Sequence, residues 1–336
     1  MLKWPLKVSG MKYLSKLCFI LFSMYGCNQS DGMKTYNGEA QGTTFHIIYA
    51  CEYDLEPEID SVLELADVHF STYRKGSMIN RINKTSESAA VDDLFTELWE
   101  HCWDLNIRSN GYFDPSLAPV LALYDFDDIS AMDLDSEMVK EALAHTGMHL
   151  MSVENGVARK KDSRFEMNMN AVAQGYTVDL IANFLSARKC SSYMVEIGGE
   201  LRCKGKKKNG EEWVIGIDKP IQAGSRELFA KVSLMNASMA TSGNYRKFKT
   251  INGSSVGHII NPKSGFPERS NILSISVIAN ECYEADAMAT AFMNMAVEEV
   301  KAADGADPGI KLFMIYLEGM DTLHYQSPGL KAQLIP

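Results

Sequence analysis

The chain has 336 residues, of which 46% are hydrophobic and 23% charged, a composition that excludes disordered, collagen-like and disulfide-scaffold proteins. At roughly 150 residues per domain, this length allows one to three domains. Lysine and arginine number 33 against 43 aspartate and glutamate, and the resulting balance of −10 argues against a nucleic-acid partner, because phosphate backbones repel acidic proteins.

The first 27 residues have the pattern of a secretory signal. Lys12 and Lys16 precede an apolar run at residues 17–22, which is too short to span a bilayer; a buried apolar helix is the alternative. The glycine before Cys27 resembles the end of a bacterial lipobox, in which the cysteine is lipidated. We therefore expect a signal peptide over 1–27, a polar tether over 28–39 and one folded domain over 40–336. The protein is then expected on the periplasmic side of the bacterial cell envelope, anchored to a membrane at Cys27.

The cysteines give little further information. Seven occur, and removing Cys18 and Cys27 with the signal leaves five, without any C-x-x-C pair. Zinc knuckles and thioredoxin-type motifs are therefore excluded. An exported protein is able to form one disulfide, but the spacing does not say which cysteines pair, and structural burial is expected for most of them.

Residue patterns along the chain predict an α+β fold. Residues 43–49 read as a strand, and residues 56–70, 92–106 and 171–184 as helices. Strands are expected at 192–197, 201–205, 212–217, 230–234 and 272–278, then a last helix over 284–300 and a closing strand at 310–316. The strands at 201–205 and 212–217 are expected to pair across a basic turn at 204–210. Without a βαβ repeat, these elements indicate a single mixed unit.

Asp286 and Thr290 are candidates for binding a cation. They stand four residues apart on a predicted helix and so share one face, among alanines that let another backbone come close. A carboxylate, a hydroxyl and a neighbouring carbonyl suit Mg²⁺, which prefers oxygen ligands. The alternative is that Asp286 caps its helix or pairs with the helix dipole.

Three other polar segments are candidates for ligand contacts. Residues 241–245 and 257–265 combine hydroxyls, glycine turns and His258, which suits phosphate binding but also plain hairpin turns. Residues 168–176 form a polar turn into a small-residue helix, where exposed amides bind anions or helices pack closely. Tyr73 follows a helix and either stacks on a planar ring or is a half-buried core tyrosine.

Taken in order, these segments resemble the ApbE family of FAD:protein FMN transferases from about Gly42 to Pro328. Each segment alone is common, whereas their joint order is specific. The segments are Gly42-Thr43-Thr44-Phe45, Ser71-Thr72-Tyr73 with Ser77 and Asn83, Phe113-Asp114-Pro115-Ser116 with Pro119, residues 171–179, Glu196-Ile197-Gly198-Gly199-Glu200, Trp213, Thr241-Ser242-Gly243-Asn244-Tyr245, His258-Ile259-Ile260-Asn261-Pro262 and Ala285-Asp286-Ala287-Met288-Ala289-Thr290.

The resemblance implies a two-lobed, T-fold-like architecture of mixed sheet and helix that forms one catalytic unit, with FAD in a cleft between the lobes. It implies that Mg²⁺ is bound by the side chains of Asp286 and Thr290 and the carbonyl of Ala171, and that His258 acts in the transfer. The implied FAD contacts are Gln41, Tyr73, Asp114, Pro115, Ser116, Asn168, Gln174 and Ile260. The implied reaction moves FMN from FAD to a threonine or serine hydroxyl of a target protein, for example a respiratory or redox membrane subunit, and releases AMP.

The chain departs from the family pattern at three positions. Most members carry Asp at the position of Asn168 and Lys at the position of Gln174, so the two changes together are nearly charge-neutral and suggest a swapped ion pair. Asn261 replaces a frequent Asp, which is a milder change. Two other activities remain open: a Mg²⁺-dependent FAD pyrophosphatase that gives FMN and AMP, and a lipoprotein that only binds FAD.

Overall fold

The structure, a computed structural model, describes residues 32–124, 135–220, 227–243, 248–251, 254–257, 259–267 and 270–335. The predicted signal peptide, with Cys27, lies outside these residues, and so does His258. In the described ranges no helix combines the length and apolarity needed to cross a membrane.

Helices and strands are interspersed along the chain. The helices are α1 Glu56–Phe70, α2 Met78–Lys84, α3 Asp93–Arg108, α4 Ala118–Leu121, α5 Ser136–Leu143, α6 Ala173–Ala187, α7 Cys282–Met293 and α8 Val297–Ala306, with a short 3₁₀ helix at Met148–Leu150. The strands are β1 Lys34–Ala40, β2 Thr43–Ala50, β3 Ser88–Ala90, β4 Met151–Glu154, β5 Val157–Lys160, β6 Ser192–Ile197, β7 Glu200–Lys204, β8 Trp213–Asp218, β9 Leu228–Leu234, β10 Ala237–Gly243, β11 Phe248–Ile251, β12 Ser254–Gly257, β13 Ile272–Ala279, β14 Lys311–Glu318, β15 Asp321–Gln326 and β16 Ala332–Leu334. The predicted α+β class is confirmed.

The central sheet has eight strands in the order β1-β2-β6-β7-β10-β13-β14-β15, and all neighbours are antiparallel. In β2, Phe45, Ile47 and Tyr49 are buried and alternate with more exposed residues, as in a strand with one face on the core. The strands predicted at 43–49, 192–197, 230–234 and 272–278 are confirmed, because they show this period or a continuous apolar run.

Helices cover one face of the central sheet. α1 and α6 pack on β2 and β6 in a cluster that includes Ile181 and Val195. α3 and α7 cover β10 and β13 in a second cluster that includes Ala287 and Val277. The opposite face is covered by a three-stranded sheet of order β16-β9-β8, to which Trp213 contributes. The predicted helices at 56–70, 92–106 and 171–184 correspond to α1, α3 and α6 and are confirmed.

One predicted pairing is wrong. Residues 201–205 and 212–217 do not pair, since β7 lies between β6 and β10, whereas β8 pairs with β9 in the other sheet. Gly198 and Gly199 adopt positive φ angles of 68° and 119°, which allows the tight turn between β6 and β7. The basic run therefore connects two sheets instead of closing a hairpin.

Three predicted boundaries also need correction. The tether expected over 28–39 is wrong from Lys34 onward, because residues there form β1 and pair along the whole of β2. The helix expected over 284–300 is divided into α7 and α8; α7 ends at Met293, and the carboxylate of Glu299 accepts the N–H of Ala296 at 2.8 Å to begin α8. The strand expected to close the chain, β14, is followed by β15 and β16.

A disulfide joins Cys51, directly after β2, to Cys190, which precedes β6. It links the ends of two paired strands across 139 residues of chain. The remaining described cysteines, Cys102, Cys203 and Cys282, are buried and unpaired, so the expected burial of most cysteines is confirmed.

We expect replacement of Cys51 and Cys190 together by serine to lower the free energy of unfolding by about 3 kcal/mol, because the long closed loop would no longer restrict the unfolded chain. Urea unfolding of the variant and of the native protein measures this difference. Treating the native protein with a reductant is the control and should give the same loss; identical unfolding with and without reductant would contradict the expectation.

Candidate active site

A cleft of about 1260 Å³ lies beside the N-terminal end of α6 and the turn between β6 and β7. Residues of β2, β6, β7, β8, β10 and α7 also line it. Its described lining holds six carboxylate side chains and neither lysine nor arginine; the carboxylates are Asp114, Glu166, Glu196, Glu200, Asp218 and Asp286. Among the described residues, backbone groups and neutral side chains are therefore the groups available to an anion in this cleft, together with any cation bound beside it.

The predicted cation ligands meet at one wall of the cleft. Asp286 and Thr290 lie one turn apart on α7, and Ala171 lies just before α6; all three line the cleft. The N–H of Gly175 donates to Oδ2 of Asp286 at 3.1 Å. The hydroxyl of Thr290 lies 3.5 Å from that of Ser242 on β10. The structure thus places oxygen atoms of α7, of β10 and of the segment before α6 along the same cleft.

These groups fit a magnesium ion. The pKa of Asp286 is raised above its ordinary value, chiefly by burial and also by the charge of Asp179, while the N–H of Gly175 opposes the rise. An ionised carboxylate in such a place is stabilised by a bound cation. The described residues contain no group of three or more His, Cys, Asp or Glu side chains placed to hold a metal, so among them hydroxyl and carbonyl oxygens are the further donors. Mg²⁺ accepts such mixed oxygen ligands and retains waters.

Gly175 allows α6 to approach α7 closely. A Cβ atom at this position would lie 2.6 Å from the carbonyl oxygen of Cys282 and 2.8 Å from Cβ of Asp286. Both neighbours are fixed near the helix backbone, so a side chain cannot be accommodated without separating the helices. The small residues of the predicted helix at 171–184 thus serve close packing, and this packing places the Asp286 carboxylate.

We expect Gly175→Ala to lower the free energy of unfolding by about 2 kcal/mol and to weaken Mg²⁺ binding, because overpacking moves α7 away from α6. Gly305→Ala is the matched control, since Gly305 also lies in a helix but has open space at its Cβ position. That control should be neutral or slightly stabilising. Thermal unfolding and calorimetric Mg²⁺ titration measure both effects, and equal behaviour of the two variants would contradict the role of Gly175.

The N-terminus of α7 is held by α6. Buried Asp179 accepts the N–H groups of Cys282 at 2.9 Å and Tyr283 at 2.8 Å, and so caps a helix that has no side-chain cap of its own. Arg202 of β7 donates to Asp179 at 2.7 Å and also pairs with Glu281 through two hydrogen bonds. Burial raises the pKa of Asp179 to about 7, while Arg202 and the two N–H groups oppose this rise. The network fixes the start of the helix that carries Asp286.

Five of the predicted FAD contacts line the cleft: Tyr73, Asp114, Asn168, Gln174 and Ile260. Tyr73 is 86% exposed, so the alternative that it is a half-buried core tyrosine is wrong. The backbone of Asn168 donates to the carbonyl of Pro115 at 2.8 Å, and its side chain accepts the N–H of Asn170 at 2.9 Å. The side chain at position 168 therefore shapes the turn into α6.

Three predicted FAD contacts lie outside the cleft lining. Ser116 is fully buried and donates its hydroxyl to Oδ1 of Asp114 at 2.5 Å while accepting the N–H of Gly147 at 2.5 Å. Pro115 contributes only its carbonyl to Asn168. Gln41 donates to the hydroxyl of Thr177 at 2.8 Å. Burial raises the pKa of Asp114, which Ser116 lowers. The turn of residues 114–116 is thus held by its own hydrogen bonds and supports the wall of the cleft.

His258 and Cys27 lie outside the described residues, so the histidine predicted to act in the transfer and the predicted lipid attachment are not placed. Asn261 is buried, and its side chain accepts the N–H of Lys263 at 2.9 Å in the turn after Ile260. Ile259 and Ile260 both line the cleft.

Sequence reasoning missed several residues of the site. β8 contributes residues 214–218 to the cleft, and β2 contributes His46; these residues lie outside the segments that carry the family resemblance. The pair Asp179 and Arg202 was also missed, although a charged residue inside the apolar stretch 178–182 is a signal for a buried partner.

Comparisons with known proteins cover this whole site. A sequence model described as the ApbE family matches residues 41–314. The chain is 30% identical over 321 residues to an FAD:protein FMN transferase of Vibrio cholerae, with 93% of this chain and 96% of that protein covered. It is 30% identical over 284 residues to the protein of that name from Haemophilus influenzae, with 80% and 82% covered.

The chain is also similar in fold to solved structures of flavin transferases. The chain is similar to the flavin transferase ApbE from Vibrio cholerae, with a TM-score of 0.78, 30% identity, and 88% of this chain and 97% of that chain covered. It is also similar to the apo form of the Pseudomonas stutzeri flavinyl transferase ApbE, with a TM-score of 0.80, 28% identity, and 89% and 95% covered.

Proposed function

This chain belongs to the ApbE family, and we infer that it is an FAD:protein FMN transferase whose reaction takes place in the cleft described above. It transfers the FMN half of FAD to a threonine or serine hydroxyl of a target protein and releases AMP. The observation that supports this location is that Asp286 and Thr290 line one cleft together with Ala171, which lies far from both of them in sequence.

The proposed metal ligands are Asp286, Thr290 and the carbonyl of Ala171. A Mg²⁺ ion bound there would neutralise charge on the pyrophosphate of FAD and orient it for in-line attack. Such a charge suits FAD, because FAD is an anion and the described lining of the cleft contains neither lysine nor arginine. Gly175 holds one oxygen of Asp286 through its N–H and leaves the other oxygen for the metal.

Neutral groups account for the rest of FAD binding in this proposal. Tyr73 is exposed at the cleft and is placed to stack on a planar ring. Gln174 follows the N-terminus of α6, where backbone N–H groups favour anions. Asn168 holds the preceding turn through its side-chain hydrogen bond to Asn170. Positions 168 and 174 therefore contribute shape and hydrogen bonds in place of an ion pair.

The proposed transfer is a displacement at phosphorus. The oxygen of the acceptor hydroxyl forms a bond to the phosphorus of the FMN half, and the bond from that phosphorus to the bridging pyrophosphate oxygen breaks. AMP leaves with the bridging oxygen, and the hydroxyl proton moves to a base. We assign this base to His258, because a histidine near neutral pH suits proton transfer.

We also propose that the protein acts on the periplasmic side of the bacterial cell envelope, anchored by a lipid at Cys27, with a redox subunit of a membrane complex as its target. The signal-like pattern of residues 1–27 supports export. The disulfide between Cys51 and Cys190 supports an oxidising compartment, because such bonds are rare in the reducing cytosol.

Incubation of the protein with FAD, Mg²⁺ and a pool of short synthetic peptides tests the transfer. Each peptide carries one central threonine, with uncharged, basic and acidic residues varied at the other positions. We expect a peptide adduct with the mass of FMN less water, together with an equal amount of AMP, and loss of both products in EDTA. AMP without an adduct would indicate a pyrophosphatase, and the absence of both would indicate a protein that only binds FAD.

A further inference from the structure

Strand β8 has an open edge that borders the cleft. Within the described ranges, β8 pairs only with β9. Its five consecutive residues 214–218 all line the cleft. A strand that lay with one face on a cavity would contribute every second residue, because side chains alternate between faces. The unbroken run indicates that the cleft meets the backbone edge of β8.

The backbone groups at this edge are directed into the cleft. Ile335 donates its N–H to the carbonyl of Phe229 at 2.9 Å, so Phe229 of β9 faces β16. The next residue of β9, Ala230, therefore faces β8, where it pairs with Ile217. Successive residues of a strand point their N–H and C=O groups in opposite directions. The backbone N–H and C=O groups of Val214 and Gly216 therefore point away from β9, and Val214 is 49% exposed. An edge of this kind accepts an additional strand.

The central sheet provides a floor beside this edge. Phe45 and Ile47 of β2 face the helices, so Thr44 and His46 face the opposite side, where they line the cleft. His46 pairs in register with Glu196 of β6, which also lines the cleft. The edge of β8 and this face of the central sheet form the two sides of a groove, which we call the β8 groove. It is part of the same cavity as Asp286 and Thr290.

We propose that the acceptor segment of the target protein binds in the β8 groove as an added strand, paired with the edge of β8. This inference rests on the proposed transfer, which requires a protein hydroxyl to enter the cleft and reach a phosphorus atom. A folded surface cannot enter a cleft of this size, whereas a single extended segment can. Pairing with β8 fixes its register and presents every second side chain to the site.

A pair of proline variants tests the groove on the protein side. Val214→Pro removes one N–H from the β8 edge, at an edge position where proline is tolerated. Leu334→Pro is the matched control on β16, the opposite edge of the same sheet: Leu334 is 48% exposed, and its neighbour Ile335 donates to Phe229, so its own groups also point away from β9. Leu334 does not line the cleft.

We expect Val214→Pro to raise KM for the threonine peptide pool about tenfold, because strand hydrogen bonds are lost, while FAD affinity measured by flavin fluorescence stays within about twofold. Leu334→Pro should change neither value. An unchanged KM in a folded Val214→Pro protein, or equal rises in both variants, would overturn the groove. Absence of any adduct with the native protein would overturn the proposed transfer, and the groove with it.

Modified peptides test the same pairing without altering the protein. The most reactive peptide of the pool is synthesised with one N-methyl group at each backbone nitrogen in turn, and its flavinylation by the native protein is measured. We expect losses at alternate positions, since a strand paired on one edge uses every second N–H. Equal tolerance at all positions, or losses without this period, would exclude strand pairing even if Val214→Pro proved unstable.

Discussion

Replacing Asp286 by asparagine is expected to reduce both AMP release and peptide flavinylation by about a thousandfold or more. Asparagine keeps the shape of the side chain and an oxygen that accepts the N–H of Gly175, but it loses the charge that binds the cation. Calorimetric titration should show that Mg²⁺ binding is lost, whereas thermal unfolding should show an intact fold.

The control for this experiment is Asp304→Asn. Asp304 is 8% exposed, similar to 7% for Asp286, but it lies on α8 and bonds to Tyr325 and Ser327 away from the cleft. Its replacement should leave the activity of the folded protein unchanged. Full activity of Asp286→Asn in the presence of EDTA would show that the metal assignment is wrong.

Replacing Asp179 by alanine is expected to give the largest loss of stability, about 4 kcal/mol in the free energy of unfolding. The change leaves the guanidinium of Arg202 partly buried with one partner fewer, and it removes the cap from the N–H groups of Cys282 and Tyr283. Because these groups begin α7, Mg²⁺ affinity should fall as well. Urea unfolding and calorimetric titration measure the two effects.

Glu281→Ala is the comparison for Asp179→Ala, since Glu281 belongs to the same network. Its side chain is 36% exposed, and its removal leaves Arg202 paired with Asp179. We expect a loss of about 1 kcal/mol and nearly native Mg²⁺ affinity. Equal losses in the two variants would mean that the Asp179 cap does not position α7.

Local patterns predicted most of the elements that carry the site. β2, β6 and β13 have clear alternation or continuous apolar runs, and α1 has a helical stripe, so each was found close to its observed bounds. Which strands pair depends on residues that lie far apart in sequence, and for this reason the pairing of β7 with β8 was predicted wrongly. β1 was read as a tether because its residues are mostly polar; in the structure they alternate between partly buried and exposed.

In the site, too, features of residues close in sequence were predicted, whereas contacts between distant residues were not. Asp286 and Thr290 were found because their spacing on one helix is a local feature. Asp114 belongs to a turn that is recognisable in the sequence. The hydroxyl of Ser116 donates to Asp114 within this turn, and residue types alone do not reveal that bond. Asp179 and Arg202 are brought together only by the packing of α6 against β7, so their role became visible in the fold alone.

The most direct measurement is a crystal structure of the protein with FAD and Mn²⁺ in place of Mg²⁺, in which anomalous scattering locates the metal. We expect one peak beside the carboxylate of Asp286 and the hydroxyl of Thr290, with the pyrophosphate of FAD at the same ion. A peak away from α7, or FAD bound outside the cleft, would contradict the assignment of this cleft as the active site.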